Sequence, residues 1–400
     1  MTADAVAYPV APRPRATTRR FLAATWRARR SPWIWTPAAV TTAGVATATV
    51  ALGRIITAPP NAWRPRTLPW TLRLEPQTDG TVVLRGAAAA APGRWGVEYP
   101  GGSGEVGDVA ADQRPGEARR EFTLISGAPP AGALPARFNT AIWPNRETFT
   151  ERTGIAGHDT VIAGETGPLP AWVFPAGDGS RWSVLVHGRG APRAQMLRLV
   201  PALHEAGITA LVISYRNDSA ACRDPSGRMH FGHREWRDLE AAVAVATDRG
   251  ATDVVLAGMS MGGAIIAAFL RRSALAATCV AAILDAPALN WGPILRHVAR
   301  GSRLPQWLVP GVMAAVAMQA RIDWSALNHL GVMEPLTAPT LLIHGDRDPV
   351  VPVELSDAYA DAQPLVDYLR VAGAGHVSAW NTAPTDYFNA VAAFLAGLPG

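Results

Sequence analysis

Asp253-Val254-Val255-Leu256-Ala257-Gly258-Met259-Ser260-Met261-Gly262 decides how this chain reads. Its first five residues are short, apolar and rich in β-branched side chains, the pattern of a buried strand. The Ala-rich run from Ala264 to Leu270 reads as a helix. Between them the Gly-x-Ser-x-Gly spacing predicts a sharp strand-to-helix turn, with the Ser260 hydroxyl held exposed at the carboxyl end of the strand. Glycines two before and two after let strand and helix approach without side chains colliding. A plain helix N-cap is the other use for a serine here. What separates the two uses is the company the serine keeps. A serine hydroxyl is a poor nucleophile until a base takes its proton, so the catalytic reading demands a histidine and an orienting carboxylate.

Both lie downstream. Pro339-Thr340-Leu341-Leu342-Ile343-His344 is strand-like and runs into Gly345-Asp346-Arg347-Asp348-Pro349-Val350-Val351-Pro352. Val366 to Ala372 is a second strand pattern, closing on Gly373-Ala374-Gly375-His376. A carboxylate after one strand and a histidine after the next reach the same sheet edge as Ser260. Upstream, Trp182 to Val186 reads as a buried strand entering His187-Gly188-Arg189-Gly190, with a helix starting near Ala191. His187 before a glycine at a strand end suits a packed structural residue, and no His/Cys/carboxylate cluster with ligand spacing accompanies it. The expectation is no metal and no cofactor.

These motifs, in this order, resemble the α/β-hydrolase superfamily of serine hydrolases over roughly residues 180 to 400. The shared features are the nucleophile turn at Gly258–Gly262, the H-G-x-x-D-x-x-V-P acid turn at His344–Pro352 and the G-x-G-H turn at Gly373–His376. The resemblance implies Ser260 as nucleophile, His376 as base and Asp348 as acid. Asp346 is a rival that the family spacing assigns to the turn, and Asp285 a rival because some members place the acid one strand earlier. It also implies that the backbone N–H groups of Arg189 and Met261 form an oxyanion hole. The fold expected is α/β: a mostly parallel sheet with helices on both faces, a helical cap inserted at about 288–336, and a small β-rich N-terminal extension.

The remaining pattern fits. Ile208 to Tyr215 reads as a strand, and Glu235 to Thr247 as an amphipathic helix with Trp236, Leu239, Val243 and Ala246 on one face. A last helix is expected from about Asp386 to Ala396. The stretch from Trp291 to Met318 is crowded with apolar side chains, including Leu304 and Trp307. It reads either as a lipophilic cap over the pocket or as ordinary core of two helices packed on the sheet. Residues 60–175 offer short strand-like runs, Thr71–Leu74, Thr81–Leu84, Arg94–Val97, Arg120–Leu124 and Ala171–Phe174, split by Gly/Pro-rich turns. The catalytic domain is expected over 176–400.

All 37 cationic residues are arginine. Residues 1–30 hold seven of them against Asp4, so the net charge of +5 is local and the rest of the chain sums to −1. No basic face for nucleic acid is expected. Trp33 to Gly53 carries no formal charge and is bracketed by Arg30 and Arg54. The expectation is a basic cytoplasmic tail over 1–32, a membrane-spanning helix over 33–57, and a catalytic domain outside the cell membrane. A cleaved signal ending near Ala46-Thr47-Ala48 is the alternative. Arg19-Arg20-Phe21-Leu22 departs from a twin-arginine signal in the position of its phenylalanine. Cys222 and Cys279 read as unpaired thiols.

Acyl transfer to Ser260 therefore leads. An ester of lipophilic character is the first expectation for the substrate. A serine peptidase of the aminopeptidase or prolyl-oligopeptidase kind is the alternative, and it calls for a carboxylate to hold the substrate amine: Glu334, Asp323 or Asp218. A catalytically inactive, membrane-tethered scaffold is the third reading. The discriminating observation is whether a carboxylate points into the pocket.

Overall fold

The computed structural model describes residues 42–59, 69–110, 114–331 and 338–398. The expected basic tail, the first nine residues of the expected membrane span, and Glu334 lie outside them.

Strands β1 (Leu72–Pro76), β2 (Thr81–Arg85), β3 (Trp95–Tyr99), β4 (Gly102–Val109), β5 (Glu117–Gly127) and β6 (Leu134–Asn139) are antiparallel and close into a barrel in the order β1-β2-β5-β4-β3-β6. Period-two alternation turns Leu72, Leu74, Val82, Leu84, Val97 and Val106 inward. Closure leaves no unpaired edge, so the extension is a barrel rather than an open antiparallel patch. Gly104 is required there, since a Cβ would lie 2.1 Å from the Phe122 ring. Arg120 is wholly buried and donates to the carbonyls of Ala89, Ala91, Gly93 and Gly107; burial brings its pKa down to about 10. Asn381 joins the barrel to the larger sheet, accepting from Arg94 N–H at 2.8 Å and donating to the Arg94 carbonyl at 3.0 Å.

Eight strands form the main sheet: β7 (His158–Gly164), β8 (Gly167–Phe174), β9 (Arg181–Val186), β10 (Thr209–Ile213), β11 (Asp253–Met259), β12 (Cys279–Asp285), β13 (Thr340–Gly345) and β14 (Val366–Val371), in the order β14-β13-β12-β11-β9-β10-β8-β7. The six from β9 onward are mutually parallel, and β7 and β8 add antiparallel at one edge. The sheet thus begins at His158, so the boundary expected near 175 falls inside it: β8 pairs with β10 and β7 with β8, and neither pairs with the barrel. Alternate residues of the parallel strands feed two cores. Val184, Leu256 and Leu342 face the helices Trp236–Asp248 and Met261–Arg272. Leu185, Ala257 and Ile343 face the helix Pro384–Ala396. Burial on both faces is why these strands are apolar throughout. Cys222 and Cys279 are both free thiols.

After β12 come the two insertion helices, Trp291–Gly301 and Leu308–Ala320. The reading as core packed on the sheet applies to one face of this stretch. Trp291, Ile294, Val312, Val316 and Ala320 join the core of the sheet, while Leu304, Trp307 and Met318 remain exposed, Trp307 by 63%.

Of the helix Thr42–Thr57, the residues from Thr49 onward belong to the larger unit, Thr49–Gly400. Among the described residues no helix is long and apolar enough to cross a membrane. The last nine residues of the expected span are instead docked on the larger unit. Gln319 donates to the Val50 carbonyl, and Met229 N–H to that of Thr57. A Cβ on Gly53 would lie 3.3 Å from that of Ala315.

His329, 5% exposed, accepts from Arg271 at Nδ1 and has no partner at Nε2. Burial, reinforced by the charges of Arg271 and Arg272, pushes its pKa from 6.5 down to about 3. The unfolded chain therefore binds this proton before the folded one does, and stability falls as pH drops from 6.5 toward 3, by about 1.4 kcal/mol per unit at most. Thermal midpoints measured from pH 7 to 4 are expected to decline less steeply in His329→Gln than in the parent protein.

Candidate active site

The turn after β11 takes the conformation its sequence anticipates. Ser260 sits at φ 53°, ψ −115°, a region that side-chain-bearing residues rarely occupy. Its N–H donates to the Asp285 carbonyl at 2.9 Å, and its own carbonyl accepts from Gly263 and Ala288, both at 3.0 Å. The flanking glycines are sterically obligatory. A Cβ on Gly258 would lie 2.6 Å from Ile266, and one on Gly262 only 2.1 Å from the Val186 carbonyl oxygen.

Two further loops converge on the Ser260 side chain. The hydroxyl stands 2.9 Å from His376 Nε2, and His376 Nδ1 stands 2.7 Å from Asp348 Oδ2. With Nδ1–H donating to the carboxylate, Nε2 is left as the acceptor of the serine proton. Burial on its own would raise the pKa of Asp348. Hydrogen bonds from His344 and His376, with the N–H of Val350, outweigh it and hold the carboxyl well below the usual range. His344 is fully buried, accepting from the Ser356 hydroxyl at 2.7 Å and donating to Asp348 at 3.1 Å. It was read only as the end of a strand; the His-Gly pair it shares with His187-Gly188 was the available signal.

The two rival acids are engaged elsewhere. Asp346 accepts the Gly373 N–H at 2.7 Å and braces the histidine turn. Asp285 accepts from the Tyr387 hydroxyl at 3.3 Å, and burial raises its pKa despite the nearby charge of Arg198. Only Asp348 is hydrogen-bonded to His376 among the described residues.

On the other side of Ser260 lies the turn after β9. A Cβ on Gly188 would be 3.2 Å from that of Ser260. Three donors pin the Gly188 carbonyl: His187 Nδ1 at 2.8 Å, the Tyr215 hydroxyl at 3.1 Å and Ala191 N–H at 3.2 Å. Since C=O and N–H point oppositely across a trans peptide, this also fixes the direction of the Arg189 N–H. Neither the Arg189 nor the Met261 N–H donates to a protein acceptor among the described residues. His187 is fully buried. Burial draws its pKa down, but the Asp218 carboxylate 2.7 Å from Nε2 prevails and raises it. Its expected packing role is thus an ionic one, which sequence alone did not disclose.

That pairing bears on the amine-binding carboxylates. Asp218 is occupied by His187 and the Tyr215 N–H, and Asp323 by the N–H and hydroxyl of Ser325. Glu334 lies outside the described residues. Among the described residues there is no group of three or more His, Cys, Asp or Glu side chains arranged to hold a metal ion.

Residues 184–391 match the family model described as "Alpha/beta hydrolase family". No curated protein matches the chain. Among solved structures, an esterase from Pyrococcus furiosus superposes with a TM-score of 0.50 at 22% identity, covering 63% of this chain and 94% of that one. An esterase from Butyrivibrio proteoclasticus with ferulic acid bound gives 0.47 at 18% identity, covering 60% and 98%. At such identities the likeness is one of fold.

Replacing Asp348 by Asn keeps the shape but puts an NH2 donor where the carboxylate accepts from His344 and His376, which favours the wrong histidine tautomer. A fall in kcat on the order of 10³- to 10⁴-fold is expected, measured beside Asp285→Asn, which should lose less than tenfold. The reverse ranking would transfer the acid role to Asp285.

Proposed function

The chain belongs to the alpha/beta hydrolase family, and from that premise we propose that it cleaves carboxylic esters of lipophilic character through an acyl-enzyme on Ser260. The observation that carries this reading is the relay of 2.9 Å and 2.7 Å from Ser260 through His376 to Asp348, on a serine held at positive φ. As Ser260 Oγ attacks the ester carbonyl, its proton passes to His376 Nε2 and Asp348 steadies the imidazolium. Charge gathering on the carbonyl oxygen meets the unspent N–H groups of Arg189 and Met261. Collapse of the tetrahedral adduct sends the proton from Nε2 to the departing alcohol. Water then repeats the sequence: His376 takes a proton from it, the acyl group leaves as the acid, and Ser260 is restored.

The preference for an ester over a peptide rests on the carboxylates. An aminopeptidase needs an acid free to meet the substrate amine, whereas Asp218 and Asp323 are already bonded within the protein. The lipophilic preference rests on the insertion after β12, whose Leu304, Trp307 and Met318 are apolar side chains left exposed. Trp291 begins the insertion three residues after Ala288, which is bonded to the Ser260 carbonyl.

On p-nitrophenyl esters of increasing chain length set beside aminoacyl p-nitroanilides, the protein is expected to prefer esters. Ser260→Ala should abolish that turnover, and a fluorophosphonate should label the parent protein but not the variant. Faster cleavage of the anilides would shift the reading to a peptidase, and an undiminished rate in Ser260→Ala would remove it.

The membrane tether is a separate proposal. It rests on the seven arginines before Trp33 and the uncharged stretch that follows. With Thr49–Thr57 docked on the catalytic unit, the lipid-contacting part would precede residue 49. The full chain is expected to remain with membranes in carbonate extraction and a chain lacking residues 1–48 to be released; release of both would dismiss the tether.

A further inference from the structure

Several arginines of this fold are fully engaged. Arg216 meets Asp238, Asp224 and Glu165. Arg198 donates to the carbonyls of Gln195, Val377 and Thr140, and Arg120 is ringed by carbonyls. Arg189 differs. Of its five side-chain N–H donors, one hydrogen bond is made, from Nη2 to the Ile56 carbonyl at 2.6 Å. No carboxylate stands within 4.0 Å of it among the described residues.

Its place is equally particular. Gly188, the preceding residue, abuts Ser260. The guanidinium lies over the face of Phe231, 5.8 Å from the ring centroid. Phe231 is itself fixed: its backbone is at φ 56°, its carbonyl accepts the Trp291 indole N–H at 3.2 Å, and its ring packs edge-on against that indole. The surrounding protein draws the pKa of Arg189 down, yet the residue still reaches solvent. These facts describe an exposed cation over an aromatic ring, with most of its donors free of protein partners among the described residues. Tying down the helix that ends at Thr57 takes only one N–H, which an amide or ammonium would supply as well. The planar fork of a guanidinium is matched to a carboxylate or phosphate, and a partly desolvated cation is relieved by such a partner.

We propose that the Arg189 side chain is the substrate's anionic anchor, so that the preferred ester carries a carboxylate or phosphate. The inference rests on the serine-ester reading and names its substrate class. The carboxylates already committed around the site leave this cation as the charge a substrate meets next to Ser260.

The test compares matched substrates. Mono-p-nitrophenyl adipate against p-nitrophenyl hexanoate places a carboxylate on the acyl side. The second pair, 4-acetoxyphenyl phosphate against phenyl acetate, places a phosphate on the alcohol side. In at least one pair the protein is expected to favour the anion, and Arg189→Gln to lower the anionic-to-neutral ratio of kcat/KM roughly tenfold or more, chiefly through KM. Arg189→Lys should restore part of the ratio, and added salt should erode it in the parent protein. The pair that responds identifies the anion. A parent ratio near one in both pairs, or a ratio unmoved in Arg189→Gln, would overturn the proposal, as would equal losses on both members of a pair. Ser260→Ala on the neutral esters separates the two readings: if it remains active, the serine-ester reading fails. If it is dead while the ratio ignores Arg189, only the anchor fails. Thermal midpoints of the variants account for the lost Ile56 contact.

Discussion

The approach of the Gly262 backbone to the end of β9 governs the architecture of this protein. No side chain fits between Gly262 and the carbonyls of Val186 and His187, so the helix after Ser260 starts in direct contact with the strand that leads to Gly188 and Arg189. That one close packing places a serine at positive φ beside a turn in which the Arg189 N–H donates to no acceptor among the described residues. Backbone strain at Ser260 persists because it is held from several sides. Its N–H is tied to Asp285, its carbonyl to Gly263 and Ala288, and the helix behind it is buried in the core.

Charge is organised around that contact with few loose ends. The Asp348 carboxylate accepts from two histidines and two backbone N–H groups, which keeps it ionised inside the protein. His187 and Asp218 form a second buried pair, whose purpose is to hold the Gly188 carbonyl and through it the Arg189 peptide. The two pairs flank Ser260, one bearing on His376 and one on the turn at Gly188 and Arg189. Both begin with a His-Gly at the end of a parallel strand. Buried, hydrogen-bonded groups of this kind define a geometry more than they add stability.

The surroundings are built differently. The insertion after β12 presents one face to the core and leaves Trp307 and Met318 in solvent. The helix ending at Thr57 crosses to that insertion through Gln319 and to the oxyanion turn through Arg189. A segment expected to leave the domain thus contributes part of its surface, from Thr49 to Thr57. The barrel of β1 to β6 meets the sheet through Asn381, just beyond the histidine turn, so it buttresses the loop that carries His376.

What the residues declare by themselves is local. Gly258-x-Ser260-x-Gly262 between an apolar run and an Ala-rich one specifies a turn, because only that spacing lets strand and helix touch. The runs ending at Asp348 and His376 specify strands whose ends share an edge. Alternation in β1 and β2 and the run Arg94–Val97 at β3 told of strands, whereas the Gly-rich stretch before Gly107 hid β4, since Gly104, which admits the Phe122 ring, looks like a loop residue in a linear reading. Which of Asp285, Asp346 and Asp348 is hydrogen-bonded to His376 depends on tertiary structure, as do the capture of Asp218 by His187, the support of Asp348 by His344, and the docking of Thr49–Thr57. Each depends on a distance between groups brought together by chain folding: Ser260 and His376 are 116 residues apart, His187 and Asp218 31. Sequence periodicity reports which way a side chain faces along its own element. Which partner waits across the gap is settled only when the elements pack.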